Sequence, residues 1–312
     1  MDLLLVLEAQ EAGLQLAVCD GTLLAREASE RHQLASGSAA ALGQALTGAL
    51  LIAATEGGTE PRVDVQLECG GPLRGLLVDA DSSGAVRGLV RVNQLDRHGA
   101  RVEGEPRFAA AGPLERFDAR PVLATGQDEQ AGLISVLRAQ PGSETLHRAA
   151  FPFAGADLGA ALTLYLRSDR ERGGELALDV AHRAGEPLFA VAGALLWATA
   201  GEPVPGRELR QGGLFQAMLR SEGKNAHALA QELSRELSLG PLRLLTEVRP
   251  RFACRCNRER VVRALGTLGA AELRDMAGRD GGASATCDFC MTTYRIPAAE
   301  LLELALGGAQ PS

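Results

Sequence analysis

Aromatic residues are scarce in this sequence: phenylalanine, tyrosine and tryptophan together make up 4% of its 312 residues. A hydrophobic core must therefore be built mainly from leucine, alanine and valine. Apolar residues still account for 46% of the chain and charged residues for 23%, the balance of an ordinary globular protein, which excludes disorder over the whole length. A chain of this length is expected to form two domains.

A targeting signal and a long hydrophobic run are both missing. Asp2 stands where a signal peptide carries a base, and the apolar run that follows it is short. Residues 32–55 carry no formal charge but are interrupted by polar side chains, and the apolar run 188–200 is too short to span a bilayer. Both stretches are predicted to be buried core elements. We expect a cytoplasmic protein with no membrane partner.

Several catalytic and binding motifs are also missing. The sequence has no Walker loop and no G-x-S-x-G nucleophile elbow. The five histidines are scattered, and no H-x-E accompanies the cysteines as it would in a zinc deaminase. The first 248 residues carry 23 basic against 32 acidic residues, a charge that disfavours nucleic acid as a partner. We therefore expect neither an enzyme nor a nucleic-acid-binding protein.

Four of the six cysteines are clustered near the C-terminus. Cys19 and Cys69 lie on predicted strands and are expected to be buried, inert thiols. The others form Cys254-Arg255-Cys256, a 30-residue spacer and Cys287-Asp288-Phe289-Cys290. Two pairs of thiols brought together supply the four sulfur ligands of a closed tetrahedral zinc site. The sequence thus predicts one Zn²⁺ per chain, bound by Cys254, Cys256, Cys287 and Cys290.

Two features favour a reactive site over an inert structural clip, which is the competing interpretation. One half of the motif is C-x-C instead of the usual C-x₂₋₄-C, and each half holds two close thiols that an oxidant could join once the metal is lost. Arginines also surround the first pair, and positive charge stabilises thiolates. These arginines are Arg255, Arg258, Arg260 and Arg263. A solvated helix face explains Arg263 equally well.

The hydrophobic pattern of the first 200 residues predicts a mixture of strands and helices. Residues 2–9 and 13–19 predict an opening hairpin, and residues 38–54 predict a helix. Residues 62–69 alternate cleanly and begin a meander of three strands, the second through 76–78 and the third over 86–92, which indicates an antiparallel sheet.

The later segments are less distinct. Residues 158–167 have a helical pattern, whereas 175–181 and 187–196 are compatible with strands or a buried helix. Residues 242–248 have the pattern of a strand.

The composition changes at residues 201–206, which are rich in proline and glycine and mark a predicted domain boundary. We expect an α+β protein: an antiparallel-sheet core domain with packed helices over 1–202, a metastable helical linker over 203–248 and a small zinc-binding domain over 249–312. The linker has only a thin apolar stripe, broken by Gly223, so it can pack one modest face. The stripe consists of Leu214, Met218, Leu229, Leu233 and Leu237.

The cysteine motif resembles that of the heat shock protein 33 family. The resemblance covers nearly the full length of the chain. Beyond the cysteines it is carried by Glu259-Arg260-Val261, Leu268-Gly269 and Tyr294, and in the N-terminal part by Gly70-Gly71-Pro72-Leu73, Val78-Asp79-Ala80-Asp81, residues 84–88 and residues 41–47. Two sites depart from the family's pattern: Leu89 replaces an aromatic residue, and 165–172 retain only part of a family motif.

The resemblance implies a redox-regulated, ATP-independent holdase chaperone that is inactive while reduced and zinc-bound. Oxidation is then expected to form Cys254–Cys256 and Cys287–Cys290 disulfides and to release zinc. The zinc domain and linker would unfold and expose apolar surface to unfolding client proteins. The family also implies a homodimer when oxidised and a monomer when reduced.

Two other functional classes stay open on the residues alone. A thiol-disulfide oxidoreductase would use Cys287 and Cys290, although the βαβ context of thioredoxin is missing. A zinc-bearing nucleic-acid module would use the local arginines, against the acidic charge of the remaining chain.

Overall fold

The computed structural model describes residues 1–55, 61–93, 100, 111–124, 132–139, 146–153, 157–168, 174–184, 186–198, 204–221 and 225–307. The chain divides into two compact units, Met1–Ala253 and Cys254–Ser312.

The described strands of the first unit are β1 (Leu3–Ala9), β2 (Leu14–Asp20), β3 (Arg62–Cys69), β4 (Gly75–Asp81), β5 (Ala85–Val90), β6 (Ala111–Arg116), β7 (Gly132–Ala139), β8 (Leu146–Phe153), β9 (Glu175–Ala184), β10 (Glu186–Ala198), β11 (Arg243–Val248) and β12 (Arg251–Phe252). Its described helices are α1 (Thr22–His32), α2 (Ser36–Thr55), α3 (Arg120–Leu123), α4 (Leu158–Ser168), α5 (Gly206–Glu208), α6 (Leu214–Ser221) and α7 (Ala226–Glu236). A 3₁₀ turn spans Gln10–Ala12, and Leu209–Gly213 form a π-helical turn kinked at Gly212, whose φ is 135°.

These strands form two six-stranded sheets. The first has the order β11-β1-β2-β10-β9-β6 and the second the order β12-β5-β4-β3-β7-β8. All described pairings are antiparallel except that of β12 with β5. The predicted opening hairpin (β1–β2) and the predicted meander (β3–β4–β5) are both confirmed. The two ambiguous segments are the strands β9 and β10, which pair with each other.

Helix α2 forms the centre of the core between the sheets. Seventeen of its 20 residues are buried, and it packs against β10 of the first sheet and β4 of the second. Gly193 on β10 permits the close approach, because a Cβ there would lie 2.7 Å from Leu51 and 2.8 Å from Thr47. Within the described residues α2 is the one helix long and apolar enough to cross a membrane, but 89% of that window is buried. The prediction of a buried core helix is confirmed.

The opposite face of the first sheet is covered by residues 204–221 and 225–239. Leu5, Leu16 and Val18 alternate with the side chains that face α2, and they form a second apolar cluster with the helices of this segment. The predicted stripe lies in that cluster: Leu214, Met218, Leu229 and Leu233 are buried and Leu237 is partly buried. The boundary between the compact units falls after Ala253, so the segment expected to be a linker packs within the first unit. Its metastability stays a prediction.

The second unit is small. It contains α8 (Arg258–Leu265), α9 (Ala270–Arg279), the hairpin of β13 (Gly282–Thr286) and β14 (Thr293–Pro297), and α10 (Ala298–Gly307). The apolar cluster among its described residues has five buried members: Leu273, Ala277, Ile296, Leu301 and Ala305. A core of this size contributes little folding free energy, so such units usually need a metal or a disulfide.

Candidate metal centre

The four cysteines of the motif converge within the second unit. One ligand atom from each of Cys254, Cys256, Cys287 and Cys290 lies within 4.8 Å of every other. The first pair precedes α8, whose N-terminus is capped by Asn257 Oδ1 accepting from the Arg260 backbone N–H at 2.8 Å. The cap fixes where the helix begins, and with it the position of the cysteine immediately before it.

The second pair occupies the turn between β13 and β14. Cys287 N–H donates to Thr292 carbonyl oxygen at 3.0 Å, and Met291 N–H donates to Cys287 carbonyl oxygen at 2.8 Å. Met291 has a φ of 58°, a left-handed conformation that closes the turn. The Cys287–Cys290 turn therefore folds back on itself, and both of its sulfurs face the first pair.

The spacing of the sulfurs fits a tetrahedral metal site. Cys254 Sγ lies 3.7 Å from Cys287 Sγ, and Cys256 Sγ lies 3.3 Å from Cys290 Sγ. A zinc ion with Zn–S distances of about 2.3 Å places its sulfur ligands about 3.8 Å apart. The four sulfur donors and the distances between them thus match a cluster that could hold one metal ion.

Two hydroxyl groups contact this cluster. Tyr294 Oη lies 3.1 Å from Cys256 Sγ, and Thr292 Oγ1 lies 3.3 Å from Cys290 Sγ. Neither side chain was predicted from the sequence to contact the cysteines. The available signal was a hydroxyl residue two and four positions after the last cysteine, which indicates side chains on the same hairpin as the knuckle.

The metal-free thiols differ in proton affinity. Burial raises the pKa of Cys256 to about 12 and also raises the pKa of Cys287. Burial opposes ionisation of Cys290 too, but hydrogen bonds from Thr292 and from neighbouring cysteines bring its pKa down to about 7. A metal that binds four thiolates must therefore displace protons, so its affinity should rise with pH.

The four arginines near the first pair differ in their surroundings. Arg258 is engaged by Glu300 of α10, with Nη1–Oε1 at 2.8 Å and Nη2–Oε2 at 2.5 Å. Arg260 and Arg263 are exposed, and Arg255 is half-buried. The leading influences on the pKa values of Cys256, Cys287 and Cys290 are burial and hydrogen bonds. No arginine is among these leading influences.

The remaining cysteines lie outside the cluster. Cys19 on β2 is fully buried and Cys69 on β3 is 8% exposed. Burial raises the pKa of both thiols, which makes them poor nucleophiles. The prediction that they are buried thiols on strands is confirmed.

Comparison with known proteins identifies the family. A family model described as Hsp33 protein matches residues 2–297. The chain belongs to the Hsp33 family. A 33 kDa chaperonin of Synechocystis sp. is 34% identical over 316 residues, covering 97% of this Hsp33 chain and 95% of the relative. The 33 kDa chaperonin of Gloeobacter violaceus is 32% identical and covers 90% and 87%, respectively.

A solved structure shares the fold of this Hsp33 protein. The crystal structure of the 33 kDa chaperonin (heat shock protein 33 homolog) of Thermotoga maritima matches with a TM-score of 0.70 at 21% identity, over 98% of both chains. The expected α+β fold with antiparallel sheets and packed helices is confirmed, as is the family resemblance.

Proposed function

We propose that this Hsp33 protein is a redox-regulated, ATP-independent holdase that is inactive while reduced and zinc-bound. The observation that carries the proposal is the convergence of four thiols in a unit with only five buried apolar side chains among its described residues. Zinc bound by Cys254, Cys256, Cys287 and Cys290 would hold the sulfurs as thiolates and stabilise the small unit. The names of the curated relatives support a chaperone function over an enzyme.

Oxidation provides the proposed switch. A two-electron oxidant converts two thiolates into one disulfide, so two equivalents consume all four ligands and free the zinc ion. We propose Cys254–Cys256 and Cys287–Cys290 as the products, following the family. Two sulfur–sulfur contacts, Cys254–Cys287 at 3.7 Å and Cys256–Cys290 at 3.3 Å, join cysteines of different halves. Since a disulfide needs about 2.05 Å, either pairing requires movement, and peptide mapping must decide between them.

Unfolding follows from loss of the metal, because the small core cannot retain the fold alone. We propose that the segment 203–248 then leaves the first sheet as well and exposes its stripe together with Leu5, Leu16 and Val18 of the second apolar cluster. Exposed apolar surface of this extent binds unfolding proteins. We further propose that the protein is cytoplasmic and that it is a monomer when reduced and a homodimer when oxidised. It is proposed to bind neither nucleic acid nor membranes.

The test measures zinc release, thiol oxidation and chaperone activity together. Zinc and free thiols are measured with a chromogenic chelator and a thiol reagent before and after peroxide or hypochlorite with mild heating, and light scattering follows a thermally unfolding client. We expect one zinc per chain, released as four thiols disappear, and suppression of client aggregation by oxidised protein alone. The matched control is Cys19→Ala/Cys69→Ala, which should respond like the wild type.

Three outcomes would contradict the proposal. Zinc that stays bound while the thiols resist oxidation would indicate a structural clip. Oxidised, zinc-free protein that leaves client aggregation unchanged would exclude a holdase. Catalytic turnover of a disulfide substrate, instead of stoichiometric oxidation, would favour an oxidoreductase using Cys287 and Cys290.

A further inference from the structure

A pocket of about 440 Å³ lies in the first unit, where α2, β9 and the start of α4 meet the segment between β6 and α3. Its polar lining consists of Gln44, Arg116, Asp118, Arg120, Asp157 and Asp179. Among the described residues, a set of ligands close enough to share one metal ion is found at the four cysteines and not in this pocket. A volume of this size accepts a small organic group.

One carboxylate oxygen in the pocket wall has no donor. The Asp179 side chain is 2% exposed, and Arg116 Nε donates a hydrogen bond to its Oδ1. The other oxygen, Oδ2, has no hydrogen-bond partner within the described residues. Leaving a buried carboxylate oxygen without a donor costs free energy. This oxygen therefore indicates a donor that the described side chains do not supply.

The charges that line the pocket do not balance. Three carboxylates stand against two guanidinium groups, a net charge of −1. Arg120 is occupied by Asp118, with Nε–Oδ1 and Nη2–Oδ2 both at 2.8 Å. Asp157 is exposed and accepts from the Ala160 backbone N–H at 3.0 Å through Oδ1, and no described cation forms an ion pair with it. A ligand with one positive charge would neutralise the pocket.

The rest of the lining fits an aliphatic stem that ends in a planar donor group. Phe117, Leu158 and Leu178 offer apolar surface to a stem. Gln44 Nε2 donates to the Leu178 carbonyl oxygen at 3.3 Å, which leaves Gln44 Oε1 able to accept. Acceptors therefore come from α2, from β9 and from the start of α4. A guanidinium group carries five N–H donors in one plane and can serve several acceptors at once.

We propose that this pocket binds an alkylguanidinium group, with Asp179 and Asp157 as its carboxylate partners. Arg116 stays on Asp179 Oδ1 while the ligand donates to Oδ2, and the stem of the ligand packs on the apolar lining. Free arginine-like compounds and the arginine side chains of extended polypeptides share this chemistry. The site goes beyond the proposed redox function, because it uses no cysteine and needs neither zinc release nor oxidation.

The test is isothermal titration calorimetry on the full-length, reduced protein. The probe is N-acetyl-arginine amide, and the control ligand is N-acetyl-citrulline amide, which has nearly the same shape but no charge. Asp179→Asn removes the buried partner. Asp157→Asn removes the exposed one and keeps the cap of α4, because asparagine can accept the same bond from Ala160. Asp2→Asn is the matched control, since Asp2 is a buried carboxyl group that does not line the pocket.

We expect Asp179→Asn to weaken binding of the arginine probe about ten- to hundredfold, the effect of losing a charge-assisted hydrogen bond. Asp157→Asn should weaken it about two- to fivefold, because that carboxylate is exposed. Asp2→Asn should bind like the wild type, and the citrulline probe should bind the wild type at least tenfold more weakly than the arginine probe. Circular dichroism checks the folding of each variant. If Asp179→Asn does not fold, Asp157→Asn and the citrulline comparison decide.

A capped pentapeptide with a central arginine distinguishes the two sources of the ligand. Tighter binding than the single residue indicates a polypeptide, and equal affinity indicates a free compound; both results uphold the pocket. Three results would overturn the inference: no binding at millimolar probe concentration, equal affinity for arginine and citrulline, or wild-type affinity in folded Asp179→Asn. Equal affinity for a blocked lysine would overturn the assignment of a guanidinium group. None of these results depends on zinc release or client aggregation, so the proposed redox function is tested separately.

Discussion

Asp179 lies on β9 of the first sheet, and its carboxylic acid is almost completely buried. Its side chain is 2% exposed, and it is paired with the half-exposed Arg116 on β6. Its second oxygen, Oδ2, has no hydrogen-bond partner in the described part of the chain. Burial raises the pKa of Asp179 to about 6, the Arg116 charge opposes this rise, and Asp157 adds to it.

This burial predicts a specific pH dependence. Between about pH 4 and 6 the folded state binds more protons than the unfolded state, so the free energy of unfolding should fall as pH rises through this range and level off above it. Asp179→Asn should remove about 2–3 kcal/mol of this decline. Urea unfolding followed by fluorescence of Trp197, the only tryptophan, measures it.

The comparison isolates one residue, because Asp2, whose pKa burial also raises to about 6, is present in both proteins. Parallel pH curves for wild type and Asp179→Asn would contradict the assignment.

At the residue scale, the sequence predicts a site best from residue types that have few roles in proteins, such as paired cysteines. Paired cysteines in a chain without other disulfide signals predict a metal site directly, and the four thiols do converge. The contacts of Tyr294 and Thr292 with the sulfurs could not be recognised in this way, since a hydroxyl residue near a pair of cysteines is common. Their contact with sulfur depends on the register of the β13–β14 hairpin, which a single sequence does not fix.

The start of the segment 204–221 is fixed to the sheet by an ion pair. Arg210, on the π-helical turn, places Nη1 2.8 Å from Glu175 Oε2 on β9, and Glu175 is 7% exposed. Arg167 of α4 contacts the other carboxylate oxygen. Gly206 lies directly over this side chain, because a Cβ there would be 1.9 Å from Glu175 Cγ. The segment thus lies over a nearly buried charge.

Removing one charge of this set should loosen the segment. Arg210→Met should lower hydrogen-exchange protection of residues 206–221 about five- to thirtyfold, equivalent to about 1–2 kcal/mol, because Glu175 keeps Arg167 but loses its second cation.

Arg207→Met is the matched control, since Arg207 contacts Gln211 within the exposed part of the same segment. Equal protection in the two variants would show that apolar packing alone holds the segment.

At the element scale, the hydrophobic pattern of the sequence predicted strand β3 and helix α2. Strand β3 was predicted over its full length because its alternation is strict, and α2 because its apolar residues recur at helical spacing. Helix α1 was missed: its N-terminus is capped by Asp2, the residue before β1, which accepts from Leu23 and Leu24 N–H at 3.0 and 2.7 Å. Strands β9 and β10 were ambiguous because their largely apolar pattern lacks a period.

The two compact units differ greatly in how much apolar surface they bury. The first has two extensive clusters, one on each face of its first sheet, whereas the second has one small cluster among its described residues. Their stability should therefore depend on the proposed zinc ion to different degrees.

Removing zinc with a strong chelator under reducing conditions should unfold the second unit and leave the first folded. Hydrogen exchange should show amide protection lost across residues 258–307 and retained in β1, β2 and β10, with Trp197 fluorescence unchanged. Adding zinc back should restore protection. Persistent protection of α9 and α10 without metal would show that the five-residue core is sufficient by itself.

The last strands of the first unit have a consequence for biosynthesis. Leu4 on β1 is paired with Val248 on β11, and Arg251 on β12 is paired with Ala85 on β5. Both sheets thus receive an edge strand from the eleven residues immediately before Cys254. A chain emerging from the ribosome cannot complete either sheet until those residues are free of the exit tunnel, when the cysteines are already being translated.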